Sequence, residues 1–174
     1  MESFRSARVW LMVVIYGGSV LLNVNNLWFP TVLKSVGMTS VANVGYVLSL
    51  AWAFGSIIVL LVCRNSDRVG ERKWHLLATG IISVSAYYAL PLAHDSVLAT
   101  AILIAVGLAF GYSNFIIFWT LPPVFLEARA AAAGIAMISS LGQFGGLSGP
   151  ALVGWLYQAT GSIYVGYYVV ATGC

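Results

Sequence analysis

The side chains in this sequence that could do chemistry inside apolar stretches are amides, hydroxyls and indoles, not charges. Asn23, Asn25 and Asn26 stand together in the first apolar stretch. An amide in hydrocarbon needs partners, so these residues should face protein or a wet cavity, as glue between helices or as lining of a solute path. Asn23 and Asn26 are three apart and share a helical face, while Asn25 points elsewhere. Gly45, Ser49, Trp52, Ser56 and Cys63 fall in one helical stripe about 60° wide, the pattern of close helix packing. Trp52 fits that reading less well, because its indole N–H wants a partner. Asn114 follows the GxxxG run Gly107–Gly111, and Trp119 precedes Pro122 and Pro123, which are expected to stop the helix. Gly142, Gly145, Gly146 and Gly149 form a smooth packing ridge ending at Pro150. Ser139 and Gln143 make a polar line about 90° around from that ridge. A serine here can also satisfy itself on its own backbone carbonyls. The candidate solute-contacting set is therefore Asn23, Asn26, Trp52, Asn114, Trp119, Ser139 and Gln143. Their chemistry is hydrogen bonding and stacking.

Other chemistries lack their residues. No Asp, Glu, Lys, Arg or His lies deep in an apolar stretch, and His75 and His94 fall at helix ends. Proton relays and charge-selective filters use such groups. No Ser/His/Asp set, paired carboxylate or metal-ligand spacing is present, so neither an enzyme nor a metal or cofactor site is expected. The two cysteines, at 63 and 174, give no disulfide framework. With 60% hydrophobic and 7% charged residues in 174, the chain lacks the roughly 25% charge of soluble domains. A soluble enzyme, a disordered segment and a nucleic-acid binder are thereby excluded.

The elements that must position the polar groups are membrane helices. Eight basic and five acidic residues leave uncharged gaps at 9–33, 35–63, 74–94, 96–126 and 130–174. A crossing takes about 20 apolar residues. The gaps predict spans at about 9–33, 43–63, 75–93, 97–120, 130–156 and 163–174, with a charged loop at 64–74. The sixth, at 12 residues, is expected to be cut short inside the membrane. Placing the N-terminus in the cytoplasm puts Arg5, Arg8, Arg64, Arg68, Arg72, Lys73 and Arg129 inside and leaves Lys34 outside, a positive-inside pattern. The opening residues do not read as a cleavable signal peptide.

Within the loop, Gly70 permits a tight turn, and Asp67 can accept from backbone N–H groups or from an Arg at the next helix start. Arg68, Arg72 and Lys73 suit lipid headgroups. The order Asp67-Arg68-Val69-Gly70-Glu71-Arg72-Lys73 resembles the inner-loop signature of the major facilitator superfamily, which implies a gating role; Cys63 stands where that family carries Gly. Gly145-Gly146-Leu147-Ser148-Gly149-Pro150 is similar to its gating-helix pattern. Arg8-Val9-Trp10, Leu27-Trp28-Phe29-Pro30-Thr31, Phe118-Trp119-Thr120-Leu121-Pro122 and Ala130-Ala131-Ala132-Ala133-Gly134-Ile135-Ala136 together resemble the C-terminal half of the anion:cation symporter family, carriers of organic acids.

The resemblance implies an all-α bundle of six membrane helices, the seventh to twelfth of a twelve-helix fold. It implies a missing N-terminal half as partner, and a small organic anion moved with H⁺, or Na⁺, by alternating access across the cell membrane. In that family a Trp ending the tenth helix and two Asn of the eleventh border the substrate cavity. The matching positions are Trp119, Ser139 and Gln143, with both Asn replaced. The substrate-binding Arg and the coupling carboxylates of relatives lie in the N-terminal half. Two other readings stay open: a truncated fragment that transports nothing, and a small six-span channel or homodimeric carrier.

Overall fold

The computed structural model describes residues 7–126 and 128–172, apart from the side chains of residues 24, 25, 128–130 and 170. Arg5 and Cys174 lie outside the described residues, as does the side chain of Arg129. Every regular element among the described residues is helical. The elements are α1 (Ala7–Val24), a 3-10 turn (Asn25–Trp28), α2 (Phe29–Ser35), α3 (Val41–Val69), α4 (Lys73–Ala89) and a 3-10 turn (Leu90–Ala93). They continue with α5 (Val97–Phe118), α6 (Pro122–Phe125), α7 (Ala128–Thr160) and α8 (Ile163–Thr172). Four stretches are long and apolar enough to cross a membrane: Ala7–Ser35, Val41–Val69, Lys73–Ala93 and Val97–Phe125. The chain is thus an all-α membrane bundle. The fifth expected span is α7, whose glycines, serines and Gln143 dilute its apolar character, and the sixth is α8, with ten described residues.

Three boundaries differ from the sequence expectation. The first span is interrupted by the 3-10 turn, because Asn25 and Asn26 are weak helix formers and Pro30 removes a backbone donor. The segment 64–69, expected as loop, completes α3. Charges mark where hydrocarbon ends, but the helix continues until Gly70, at φ 69°, caps it in the left-handed region. The loop proper shrinks to a few residues. The fourth span ends at Phe118, ahead of Pro122, which instead starts the short α6. Ser40 and Ser96 cap α3 and α5 by accepting from the N–H groups of Asn43 and Ala99.

Close packing is set by glycines. A side chain at Gly145 would press on the Gly17 carbonyl oxygen at 2.7 Å, and one at Gly142 would collide with the Tyr16 ring, so α1 and α7 meet backbone to backbone. The GxxxG run does the same for α5, with Gly107 under the Tyr87 ring and Gly111 beside Ser83 Oγ. Ser83 Oγ donates to the Gly107 carbonyl at 2.8 Å. Gly149 is buried, and α7 passes through Pro150 without ending. One expectation fails. Gly45 has nothing within 4 Å, and Ser49 and Ser56 are exposed, donating only to the carbonyls of Gly45 and Trp52. Of that stripe Trp52 meets Tyr112 of α5, while Gly45, Ser49 and Ser56 pack nothing among the described residues; α3 instead buries Val44, Ala51 and Gly55, with Gly55 against Leu108 and Ala109 of α5.

Candidate functional site

Four of the polar and aromatic candidates converge. Asn23 and Asn26 at the end of the first helical segment line an open pocket of about 600 Å³ with Val20, Leu27, Tyr112, Phe115, Gln143, Gly146 and Leu147. Asn26 Nδ2 donates to the Tyr112 hydroxyl at 3.3 Å. The Trp52 ring meets Tyr112 edge-on, with centroids 4.9 Å apart, so α3 joins the same face. The glycine seam between α1 and α7 brings Gln143 beside the two asparagines: Gly142 and Gly145 turn inward, and Gln143 is left exposed.

The site carries no formal charge. It offers a phenol hydroxyl, three carboxamides and aromatic walls, so it suits hydrogen-bonding and ring-bearing parts of a solute; an anionic group would need its counter-charge from elsewhere. Two acceptors stand out. Asn23 Nδ2 donates to the Ser19 carbonyl at 2.8 Å, which fixes the amide, yet Asn23 Oδ1 and Asn26 Oδ1 are buried without hydrogen-bond partners.

The remaining candidates sit elsewhere. Asn114 is buried and ties three helices together: its Oδ1 accepts from Ser19 Oγ at 2.8 Å, and its Nδ2 donates to the Leu76 carbonyl at 2.7 Å. It borders a larger apolar groove of about 860 Å³ walled by α1 and α4 and reaching Ala171 of α8. Trp119 packs edge-on against Tyr16 with centroids 4.8 Å apart, and Tyr16 in turn meets Phe115 at 5.8 Å. Ser139 is half-buried, one turn along α7 from Gln143. Sequence reasoning missed Tyr112 and Phe115. The signal was present in the Tyr112-Phe115-Trp119 spacing, which places three aromatic rings on one face of α5.

At the basic end of the bundle, the expected gating residues form a compact junction. Arg72 Nη2 lies 3.7 Å from Asp67 Oδ1, and its Nη1 donates to the Thr120 carbonyl at 3.1 Å, joining the α3–α4 turn to the end of α5. The Gly70 N–H returns to the Ser66 carbonyl at 3.0 Å. Glu71 accepts from the Lys73 and Trp74 N–H groups, capping α4. Asn65 Nδ2 and His75 Nε2 lie 3.0 Å apart, a further link between α3 and α4. Arg68 and Lys73 are exposed.

No family model matches this chain, and no solved structure matches it. Curated relatives do. Two proteins of Agrobacterium vitis, both named as tartrate transporters, are 34% and 36% identical over 163 residues, or 92% of this chain and 35% and 37% of their own length. A quinolone resistance transporter of Acinetobacter baumannii is 34% identical over 173 residues, 98% of this chain and 39% of its length. The chain spans a little over a third of the length of these relatives. It is a multi-pass membrane chain related, along nearly all of its own length, to membrane transporters.

Proposed function

We propose that this chain forms the C-terminal six-helix half of a secondary transporter of the major facilitator type, moving a small organic anion with a cation by alternating access. The observation that carries the reading is the uncharged pocket of Asn23, Asn26, Tyr112 and Gln143, on a face where α3 leaves Trp52 and Ser49 exposed. A pocket open on such a face is half of a site, and transporter folds place substrate between two repeats near mid-membrane. The relatives named as tartrate transporters favour a hydroxylated carboxylate, whose hydroxyls the amides and phenol would bind. The carboxylate itself would be met by the other half.

In this reading the basic end lies in the cytoplasm of a cell-membrane protein. The Asp67–Arg72–Thr120 junction acts as the gate, locking α3, α4 and α5 together at that end in one state of the cycle. A proton-coupling group would belong to the other half, since the deep positions of this chain hold none.

The test is uptake of labelled hydroxy acids into vesicles containing this chain joined to the N-terminal half of a tartrate-transporter relative. Uptake is expected, weakened by Tyr112→Phe and Gln143→Ala. A folded, assembled protein that takes up no carboxylate would sink the reading.

A further inference from the structure

The break in the first span leaves oxygens without partners, and their placement is specific. The α-helix stops at Val24, a single 3-10 turn follows, and Phe29 restarts the helix with Pro30 in its first turn. The Asn23 amide is oriented by its bond to the Ser19 carbonyl, which only accepts, so the unmet buried atom is Oδ1. Asn26 presents Nδ2 to Tyr112, which again leaves Oδ1 unmet. Both side chains line the pocket beside Gln143.

We propose that this break is a monovalent-cation site, with Asn23 Oδ1 and Asn26 Oδ1 as the protein ligands and sodium as the ion. Interrupted membrane helices are where transporter folds place coupling-ion sites. The donor set is neutral and all oxygen, which suits a hard, singly charged cation; calcium is held through carboxylates, and zinc through imidazole or thiolate. An organic anion in the adjoining pocket would add the missing negative charge. The two ligands would then bind better together than apart, which is the coupling a symporter needs. This last step rests on the transport reading, while the ion site stands by itself.

The experiment is the thermal unfolding of the purified chain titrated with sodium chloride, choline chloride replacing it at constant ionic strength. A saturable rise in Tm with sodium is expected, absent with choline alone. Asn23→Ala should weaken the apparent sodium affinity on the order of tenfold or more, and Ser148→Ala should leave it unchanged. Equal Tm values in both salts overturn the site and leave a bridging water as the partner of these oxygens. Should Asn23→Ala not fold, sodium-23 line broadening on the unaltered chain decides, with no broadening counting against the site. Carboxylate uptake by the assembled transporter that ignores sodium sinks the cation site alone. A sodium response with no uptake of any acid sinks the transport reading alone.

Discussion

Asn114 and Gln143 put the same carboxamide group in two settings, one buried among three helices and one exposed at the pocket. Asn114 makes its hydrogen bonds inside the bundle, with Ser19, Leu76 and Thr79. Asn114→Leu should therefore lower stability by about 2 kcal/mol, seen as a lower unfolding midpoint in detergent, because a buried donor and acceptor are left unmet. Gln143 is exposed and borders the pocket. Gln143→Ala should leave the unfolding midpoint nearly unchanged and raise the half-saturating solute concentration about tenfold, the worth of one hydrogen bond of about 1.4 kcal/mol. Ser148 is exposed and bonded to its own Phe144 carbonyl. If Ser148→Ala changed uptake as much as Gln143→Ala, the pocket would not be the site.

At the scale of elements, space around each glycine separates packing from mere permissiveness. Gly107→Leu and Gly145→Leu should each destabilise by about 1–3 kcal/mol or prevent folding, since Tyr87 and the Gly17 backbone occupy the space. Gly45→Leu, with nothing within 4 Å, should be tolerated by the isolated chain. Parallel denaturation curves of the three variants check this ordering. The junction at Arg72 is likewise an element-scale device: Arg72→Ala removes the bond to Thr120 and should speed amide exchange in the α3–α4 turn and around Thr120 together. Faster exchange in the turn alone would show that α5 is not held by it. The Asp67 carboxylate, largely exposed, should contribute little by itself, because water and salt screen it.

At the scale of the whole molecule, the bundle and its main breaks were legible because charge is so costly in hydrocarbon. Thirteen charged residues mark most of the span boundaries, Gly161 marks the one between α7 and α8 where no charge stands, and Gly70 and Gly161 fall at the left-handed caps their type suggests. What the sequence hid was helix facing. The stripe from Gly45 to Ser56 reads as a packing seam, but its small residues stay exposed and its contact with the bundle is through Trp52, while Val44, Ala51 and Gly55, at spacings a seam also allows, do the packing. A mid-membrane face is apolar whether it meets lipid or protein, so periodicity alone does not choose between them. Asn23 and Asn26 share one helical line and Ser139 and Gln143 another, and the packing of α1 on α7 brings Gln143 beside the asparagines while Ser139 lies a turn away. Tyr112 became visible as their neighbour only once α5 was placed against α1.

The backbone contact of Gly145 with Gly17 has one more consequence. At that crossing no side chain separates the two backbones, and Tyr16 of α1 fills the space beside Gly142, so parting α1 from α7 there would open a void. On the proposed transport reading, the edge of the pocket left to yield to a solute is the one that Trp52 of α3 and Tyr112 of α5 supply.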